Sequence, residues 1–334
     1  MSHPRLVSCG VETWKTMEFW IFLLLTCIFL SLIPWTRGQE AYPCPPSEDI
    51  SPCTCEYDAP SFISVDCTFA NTSQIISAFN GVAWFPNLTN FYVWYNDLVT
   101  ELPEGVFGAV SFERIQLNGV RNLDSVHPSV ILESKDRLQQ LLICDCLLDH
   151  FQWDILSQLT ELKFFGLCGS DVTDLPVFDS LILEGLHLPS NRISTFEAGW
   201  STPNIKYLDM DGNPISMFPT GLLDGFEKLE QFSCDDCDLG PTLHSGSFQF
   251  RSEALQTLSL TSNGITTVEP GAITGFTADT WVGLLNNEIR ELTEESFRPM
   301  LEVASLGTGV IQLVGQFPAF KGRCITQSTM KSQL

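Results

Sequence analysis

The sequence predicts an α/β solenoid, a horseshoe of about ten short coils whose parallel strands line its concave face. Two observations predict this fold. The spacing L-x-x-L-x-L-x-x-N-x-L recurs ten times between Leu88 and Ile311, with a period of 21 to 26 residues. Four cysteines stand close together directly before the first copy. One repeat cannot bury its own apolar residues, so stacked repeats must share one continuous core.

Four copies of the spacing are the clearest, and they are typical of a leucine-rich repeat. In each copy the L-x-L segment predicts a short strand whose alternate side chains point inward and to solvent. Asparagine at the ninth place suits a chain that turns inward there, because its amide group can bond backbone groups of the next coil. The four copies are Leu88/Phe91/Val93/Asn96/Leu98, Leu183/Leu186/Leu188/Asn191/Ile193, Ile205/Leu208/Met210/Asn213/Ile215 and Leu255/Leu258/Leu260/Asn263/Ile265.

Six looser copies fill the rest of the repeat region. They start at Phe112, Leu138, Leu162, Leu229, Asp279 and Leu301. At the ninth place they carry, in the same order, Val120, Cys146, Ser170, Cys237, Asn287 and Gly309. Cysteine and serine can substitute weakly for asparagine, whereas valine and glycine offer no side-chain hydrogen bond. We therefore expect irregular coils at Val120 and Gly309.

The first 38 residues predict a secretory signal peptide that is cleaved near Gly38. Two basic residues, Arg5 and Lys15, precede an apolar run over residues 19–33. The run has 15 residues, fewer than the roughly 20 that span a bilayer. An uncleaved signal anchor is the alternative interpretation, and Met17 is an alternative start.

The rest of the chain divides into three segments. Residues 39–87 form a cysteine-rich cap and lead-in, residues 88–313 form the repeats, and residues 314–334 form an atypical or truncated tail. Cys324, in this tail, lacks an obvious partner. No segment after the leader has the pattern of a membrane span or a lipid anchor. We therefore expect a secreted, extracellular protein with no membrane anchor after signal cleavage.

Acidic residues strongly outnumber basic residues, and the formal net charge is −23 at pH 7. Removing the leader, which holds three basic and two acidic residues, leaves 14 basic and 38 acidic residues and a net charge of −24. This balance excludes general binding to nucleic acid, because such binding depends on Lys and Arg that neutralise phosphates. The negative net charge also disfavours binding to anionic membranes. It favours either plain solubility of an exposed solenoid or attraction to a cationic partner or calcium.

Ten cysteines remain after the leader, a number that fits an oxidising compartment. Two N-x-[ST] sequons, which start at Asn71 and Asn87, predict N-glycosylation near the amino-terminal end. The cysteines and the sequons therefore indicate the same secreted environment.

Cys144 and Cys168 both occupy the seventh place of their repeats, on the concave face. The repeat register sets them side by side on neighbouring parallel strands, about 4.8 Å apart. That separation suits a disulfide. The sequence therefore predicts a bond between Cys144 and Cys168, provided that the fourth repeat starts at Leu162 rather than Leu159.

Three further cysteines point into the core. Cys146 stands at the ninth place of its repeat, and Cys234 and Cys237 stand at the third apolar place and the ninth place of theirs. A C-x-x-C pair in isolation suggests a redox or metal site. The repeat already explains both spacings, so we expect two packed thiols at Cys234 and Cys237.

Catalytic and metal-binding motifs are not found in the chain. Asp209-Met-Asp211-Gly-Asn213 starts like a calcium loop, but Thr220 stands where that loop needs Glu. The histidines after the leader fall at unrelated places and predict neither a zinc site nor a general base, and only His187 maps to the concave face. We expect a protein that is not an enzyme and needs no cofactor and no metal. The histidines are His127, His150, His187 and His244.

The register also predicts a candidate binding surface, because the solvent-facing places of the strands line the concave face. Aromatic residues at its amino-terminal end can anchor a protein partner, or can pack against the cap or a glycan. Carboxylates further along attract cations, or are merely solvated. The aromatic residues are Tyr92, Trp94 and Tyr95, and the carboxylates are Asp209, Asp211, Asp235 and Asp236.

The cysteines before the first repeat resemble the amino-terminal cap of extracellular leucine-rich-repeat proteins. The motifs that carry the resemblance are Cys44-Pro-Pro, Cys53-Thr-Cys55 and Val65-Asp-Cys67. A solenoid needs such a cap because its first coil would otherwise expose apolar core and an unpaired strand edge. The resemblance implies disulfides between Cys44 and Cys55 and between Cys53 and Cys67. A zinc site is the alternative interpretation.

Four further sequence segments make the resemblance more specific. They are similar to a group of secreted crustacean leucine-rich-repeat proteins that includes the non-catalytic subunit of a shrimp luciferin monooxygenase. The resemblance covers roughly residues 44–313, but the second cysteine-rich cap expected after Leu313 is missing from the sequence. The segments are Val110-Ser-Phe-Glu-Arg-Ile115, Phe151-Gln-Trp-Asp154, Leu239-Gly-Pro-Thr-Leu243 and Phe297-Arg-Pro-Met-Leu301.

The resemblance implies a non-catalytic role for this chain. We expect an accessory or stabilising subunit, or an extracellular scaffold, that binds a protein partner such as a small catalytic subunit through its concave face. The alternative is a soluble innate-immune recognition protein, similar to a Toll-like ectodomain, that binds a microbial or cytokine-like ligand.

Overall fold

One sheet of twelve strands runs through the coils of the computed structural model. Within the described part of the chain, no helix is long and apolar enough to cross a bilayer. The expected signal peptide, the tail after Leu313 and Cys324 lie outside the described residues. The described residues are 43–58, 62–148, 151–197 and 199–313.

Strands and helices are short, because each coil must complete its turn within one repeat. In chain order the strands are β1 (Thr54–Asp58), β2 (Phe62–Asp66), β3 (Asn87–Trp94), β4 (Glu101–Leu102), β5 (Ser111–Asn118), β6 (Ser125–Val126), β7 (Gln140–Cys144), β8 (Phe164–Cys168), β9 (Asp174–Leu175), β10 (Gly185–His187), β11 (Thr195–Phe196), β12 (Tyr207–Asp209), β13 (Gln231–Ser233), β14 (Thr242–Leu243), β15 (Phe248–Gln249), β16 (Thr257–Ser259), β17 (Thr267–Val268), β18 (Ile273–Thr274), β19 (Trp281–Gly283) and β20 (Val310–Gln312). The helices are α1 (Ser47–Ile50), α2 (Thr72–Asn80), α3 (Pro128–Leu132) and α4 (Glu294–Ser305), and 3₁₀ turns span Trp153–Gln158 and Leu223–Gly225.

The long sheet has the strand order β1-β2-β3-β5-β7-β8-β10-β12-β13-β16-β19-β20. β1 and β2 pair antiparallel, and every later pair in this sheet is parallel. Four two-stranded ladders, such as β4 with β6, join neighbouring coils away from the long sheet. Each coil therefore contacts mainly the coils before and after it, as in other solenoids.

The parallel pairing brings the fourth place of neighbouring repeats into line. Phe91 pairs with Ile115, for example, and Leu208 pairs with Phe232. All nine of these side chains are at most 4% exposed, so they form the front of the core behind the sheet. The predicted leucine-rich-repeat fold and the register of the first nine repeats are confirmed. The nine residues are Phe91, Ile115, Leu141, Phe165, Leu186, Leu208, Phe232, Leu258 and Val282.

The expected start of the tenth repeat at Leu301 is wrong. Leu301 lies in helix α4, and the last strand pairs Ile311 with Val282. This pairing puts Ile311 at the fourth place, so the tenth coil starts at Thr308 and Gly309 is not at its ninth place. The error has a physical cause, because an amphipathic helix also spaces its apolar residues by three and four.

Val120 does not produce the irregular coil that we expected. Its side chain is fully buried. The strand before it, β5, pairs in register with β3 on one side and with β7 on the other. Two intact ladders hold the coil in place, so the valine only has to fill core volume at the turn.

Asparagine at the ninth place bonds the backbone where the chain turns inward. Asn213 is 1% exposed. Its Nδ2 donates to the carbonyl oxygens of Leu188 (2.8 Å) and Met210 (2.9 Å), and its Oδ1 accepts the Ile193 amide N–H (3.0 Å). One side chain thus pairs buried groups of its own coil and of the coil before it. Asn191 and Asn287 show the same arrangement, whereas Asn96 Oδ1 accepts from its own coil and Asn263 bonds the backbone through its Nδ2 alone.

The eighth place of each of the first nine repeats has a positive φ, so the chain turns sharply one residue before the buried asparagine. Glycine, asparagine and aspartate tolerate this left-handed conformation best. Gly119 is needed for a second reason, because a Cβ there would approach Tyr95 Cδ1 to 2.8 Å. The nine residues are Tyr95, Gly119, Asp145, Gly169, Ser190, Gly212, Asp236, Ser262 and Asn286.

The amino-terminal cap closes the first coil of the core. Disulfides join Cys44 to Cys55 and Cys53 to Cys67, which is the connectivity that the resemblance implies. They close loops of 11 and 14 residues, and loops of this size stabilise by roughly 3 kcal/mol each in the chain-entropy model. Val65, in the strand that pairs with β3, is fully buried. The cap therefore covers the sheet edge that the first repeat would otherwise expose.

Replacing Asn213 by Ala should destabilise the fold strongly, because the Met210 carbonyl oxygen and the Ile193 amide N–H both lose their buried partner. We expect a loss of about 2–4 kcal/mol in the free energy of unfolding, as each orphaned group costs about 1–3 kcal/mol. Urea unfolding followed by circular dichroism measures this loss. Asn122→Ala is the matched control, because Asn122 is exposed and makes a surface bond to the Asp97 carbonyl. Equal losses in the two variants would contradict the role of the ninth place.

Candidate functional site

The concave face is built from the third, fifth and seventh places of each repeat, and its chemistry changes along the sheet. At the amino-terminal end the rings of Tyr92 and Trp94 stack at 5.1 Å with an interplanar angle of 23°. They are two residues apart in β3, so their side chains share one face. Trp94 remains 42% exposed. The stacked pair thus offers a preformed aromatic surface to solvent.

We expected Tyr95 and Asp236 on the concave face. In the structure they lie at the rim of the sheet instead. Both stand at the eighth place, where the chain has left the strand and adopts a positive φ. Tyr95 is 80% exposed. The left-handed turn reorients the side chain, so strand alternation does not apply there.

Two exposed residues near Tyr95 were missed by the sequence reasoning. Phe69 is 78% exposed and Leu98 is 59% exposed. The turn that carries Phe69 runs beside the turn that carries Tyr95, because Asn96 Nδ2 donates to the carbonyl oxygens on either side of Phe69. Phe69 lies in the cap and Leu98 at an apolar place of the first repeat, so the sequence marks neither residue as exposed. We call Phe69, Tyr92, Trp94, Tyr95 and Leu98 the aromatic patch.

The aspartates further along the face brace neighbouring strands. Asp211 Oδ1 accepts the Ser233 hydroxyl (2.6 Å) and the Asp235 amide N–H (2.7 Å). Asp235 Oδ1 in turn accepts the Ser259 hydroxyl and the Thr261 amide N–H, both at 2.6 Å. Burial raises the pKa of Asp211 above its ordinary value. These carboxylates are therefore partly structural, because they join neighbouring coils through hydrogen bonds.

Sulfur and imidazole groups meet at the centre of the face. A disulfide joins Cys144 to Cys168, which are paired in the register of β7 and β8 with their Cα atoms 4.4 Å apart. On the next strand, a ring nitrogen of His187 lies within 4.8 Å of both sulfur atoms. His187 Nδ1 is also 2.8 Å from Asp209 Oδ2. The sequence gives no local motif for this cluster, because register alone brings its members together.

The expectation of two packed thiols at Cys234 and Cys237 is wrong, because a disulfide joins them. Both side chains point inward from a tight turn, and this brings the two sulfur atoms together. Among the described cysteines, Cys146 is the free one. Its Sγ donates to the Cys144 carbonyl oxygen (3.3 Å), and burial raises its pKa to about 12.

An open concavity of about 670 Å³ lies near the amino-terminal ends of β12 and β13. Lys206 donates to Glu184 (2.7 Å), which lowers the pKa of Glu184 and raises that of Lys206. The negative charge of Glu230 raises the pKa of Tyr207, whose hydroxyl donates to it. Small-molecule sites are mostly lined by apolar groups, whereas this concavity is lined by side chains of both charge signs. They are Lys206, Glu227, Lys228, Glu230, Arg251 and Glu253. The aromatic patch is therefore the stronger candidate for binding.

The coils, the parallel sheet and the disulfide-bonded cap define a leucine-rich-repeat protein. No family model matches the chain. It is similar to the Oplophorus-luciferin 2-monooxygenase non-catalytic subunit of Oplophorus gracilirostris, with 27% identity over 293 residues, which cover 79% of this chain and 74% of that protein.

Solved structures with a similar arrangement are also leucine-rich-repeat or Toll-type proteins. The TLR13–ssRNA13 complex matches 70% of this chain and 29% of that chain, with 18% identity and a TM-score of 0.49. The Drosophila Toll–Spatzle complex matches 72% and 33%, with 13% identity and a TM-score of 0.49. A leucine-rich-repeat protein of Leptospira interrogans matches 66% and 65%, with 15% identity and a TM-score of 0.39. The chain spans a third or less of the two Toll-type chains.

Cys146 should be chemically inert in the native protein. At pH 8 a thiol with a pKa of about 12 carries roughly a thousandfold less thiolate than one with the unfolded value near 9. We expect alkylation by iodoacetamide to be slower in the native protein than in urea by at least this factor, as measured by mass spectrometry.

The same shift makes stability depend on pH. The folded pKa is raised, so the contribution of Cys146 is complete below pH 9 and is lost as pH rises toward 12. Relative to Cys146→Ala, the wild type should lose about 1.4 kcal/mol per pH unit in that window. Parallel pH dependence in the two proteins, or fast native alkylation, would contradict the burial of this thiol.

Proposed function

We propose that this chain is a secreted, non-catalytic binding subunit that holds a protein partner on the concave face of its sheet. The exposed aromatic patch carries this proposal. Trp94 and Tyr95, at the amino-terminal end of the face, are 42% and 80% exposed, so large aromatic side chains remain in contact with solvent there. Tyr and Trp are the residues that most often dominate binding energy at protein interfaces.

The geometry of the patch suits a preorganised anchor. Tyr92 and Trp94 are already stacked and stand on a strand that is paired on both sides. Binding therefore costs little side-chain entropy, because two rigid rings are held in place before the partner arrives. Tyr95 and Phe69 extend the apolar area over the rim of the sheet, where a convex partner that enters the horseshoe would also touch the chain.

Similarity to a named non-catalytic subunit supports the same role. We propose that the partner is a small catalytic subunit, for which this chain acts as an accessory or stabilising scaffold. A soluble recognition protein that binds a microbial or cytokine-like ligand is the competing function, and identification of the partner separates the two.

The partner test uses the chain secreted from its native source. We expect a small enzyme to co-purify with it in a fixed ratio, and the isolated chain to produce no light with luciferin. A co-purifying microbial polysaccharide or cytokine-like protein would favour the recognition function instead. Light from the isolated chain would overturn the non-catalytic assignment.

The double substitution Trp94→Ala with Tyr95→Asn should weaken partner binding by about 30-fold or more, since hot-spot residues contribute about 2 kcal/mol or more. Asn tolerates the left-handed conformation at residue 95, so the fold should be unchanged. Calorimetry or biolayer interferometry with the purified partner measures the change. Met217→Ala is the matched control, because Met217 is 71% exposed but lies outside the aromatic patch. An unchanged affinity in the double variant would remove the patch from the interface.

We also propose that the secreted chain carries glycans at Asn71 and Asn87. Asn87 is exposed, and Asn71 is partly exposed at the start of α2, where its Oδ1 accepts the Gln74 amide N–H (2.9 Å). A glycan attaches to Nδ2, so this capping bond can persist. Enzymatic deglycosylation should lower the mass by two glycans, and Asn71→Gln and Asn87→Gln should each remove one. A secreted chain with its unmodified mass would refute this modification.

A further inference from the structure

Three potential metal ligands converge at the centre of the concave face from three adjacent strands. Cys144 and Cys168 are register partners in β7 and β8, and His187 in β10 is the register partner of Gly166. One ligand atom from each of Cys144, Cys168 and His187 lies within 4.8 Å of the other two. Side chains 24 and 19 residues apart thus share one location on the solvent side of the sheet.

Gly166 provides space for this cluster. A Cβ at this position would come within 2.5 Å of Leu142 Cδ2 and 3.5 Å of His187 Cβ. Any side chain there would stand on the concave face between the imidazole and the strand that carries Cys144. The glycine therefore leaves the imidazole next to the sulfur atoms.

Asp209 orients the imidazole from the far side. Its Oδ2 is 2.8 Å from His187 Nδ1, and the two side chains are 30% and 48% exposed. A neutral imidazole that donates its Nδ1 proton to Asp209 presents the Nε2 lone pair. A carboxylate behind the distal nitrogen is the usual support of a zinc-binding histidine. The cluster thus has three ligands and an outer carboxylate.

We propose a zinc site formed by Cys144, Cys168 and His187. The site can bind zinc when the disulfide is reduced and loses this ability when the disulfide forms again. In the disulfide the two sulfur atoms are bonded to each other and offer no thiolate ligand. Reduction by a phosphine consumes one water, gives the phosphine oxide and leaves two thiols. The metal ion then replaces the two thiol protons, which pass to solvent.

The ligand set favours zinc over hard cations. Two thiolates and one imidazole suit zinc or its substitute cobalt, whereas calcium and magnesium prefer oxygen ligands. Tetrahedral binding with Zn–S bonds of 2.3 Å would require the sulfur atoms to separate to about 3.8 Å. Neighbouring strands are about 4.8 Å apart, so a rotation of the cysteine side chains can supply this separation. Water takes the fourth position, which faces the open side of the sheet.

Cobalt(II) is the spectroscopic probe for this site. The full chain is titrated with a water-soluble phosphine until peptide mapping shows Cys144 and Cys168 as free thiols, and cobalt is then added. We expect one cobalt ion per chain, with a thiolate-to-cobalt charge-transfer band and visible bands of a tetrahedral ion, which added zinc abolishes. The oxidised chain should show none of these bands.

Variants separate this site from the other cysteines. The double variant Cys144→Ser with Cys168→Ser should lose the charge-transfer band, whereas the matched variant Cys234→Ser with Cys237→Ser should keep it. His187→Gln should weaken the affinity for cobalt by at least tenfold, and Asp209→Asn should weaken it by roughly tenfold through loss of the outer carboxylate. A reduced wild type without the band, or an equal band in the Cys144/Cys168 double variant, would overturn the proposal.

A second variant tests the same site without any reductant. Cys168→His cannot form the central disulfide, yet it keeps three ligands on the same strands and leaves the cap disulfides intact. It should bind one cobalt ion through Cys144, the new imidazole and His187. Absence of binding in this variant would contradict the site even if full reduction unfolds the cap.

Discussion

Every coil of this protein carries backbone amide and carbonyl groups into an apolar core at the point where its chain turns inward. An unpaired group costs about 1–3 kcal/mol there, so the fold depends on pairing these groups in each coil. Asn96, Asn191 and Asn213 show the solution, in which one buried amide side chain bonds its own coil and a neighbouring coil. Where asparagine stands at this place, it fixes neighbouring coils relative to each other, and from β2 onward the strands of the long sheet are parallel.

That register divides the solvent side of the sheet into regions of different chemistry. Aromatic rings stand on the first repeat, the disulfide and imidazole stand at the centre, and hydrogen-bonded aspartates follow. The aromatic patch has the exposure and the rigidity of an interface, and the aspartates mainly hold strands together. The central cluster lies between these regions, so a metal ion bound there would stand on the same face as the proposed partner.

Cysteine serves several purposes in this chain, and its place in the coil does not decide alone, because Cys146 and Cys237 share the ninth place but only Cys237 is in a disulfide. In the cap, one disulfide ties β1 to the segment before α1, and the other joins the residue before β1 to the residue after β2. At the seventh place of two neighbouring coils it forms a bond on the face of the sheet. At the ninth place Cys146 remains a thiol that substitutes weakly for asparagine and donates to a single carbonyl oxygen.

The sequence by itself determined the leucine-rich-repeat fold, the cap and the register of nine repeats, because periodic burial of leucine leaves a local signal in every coil. It also placed Cys144 beside Cys168, since register follows from counting. Only the tertiary structure showed where the last coil starts, because helix α4 has the same apolar spacing as a repeat at Leu301. Only the tertiary structure showed the disulfide between Cys234 and Cys237. It also decided which side chains meet on the concave face, where His187 lies beside the two cysteines. Such contacts depend on turn geometry and on side chains from separate coils, for which the linear spacing contains no signal.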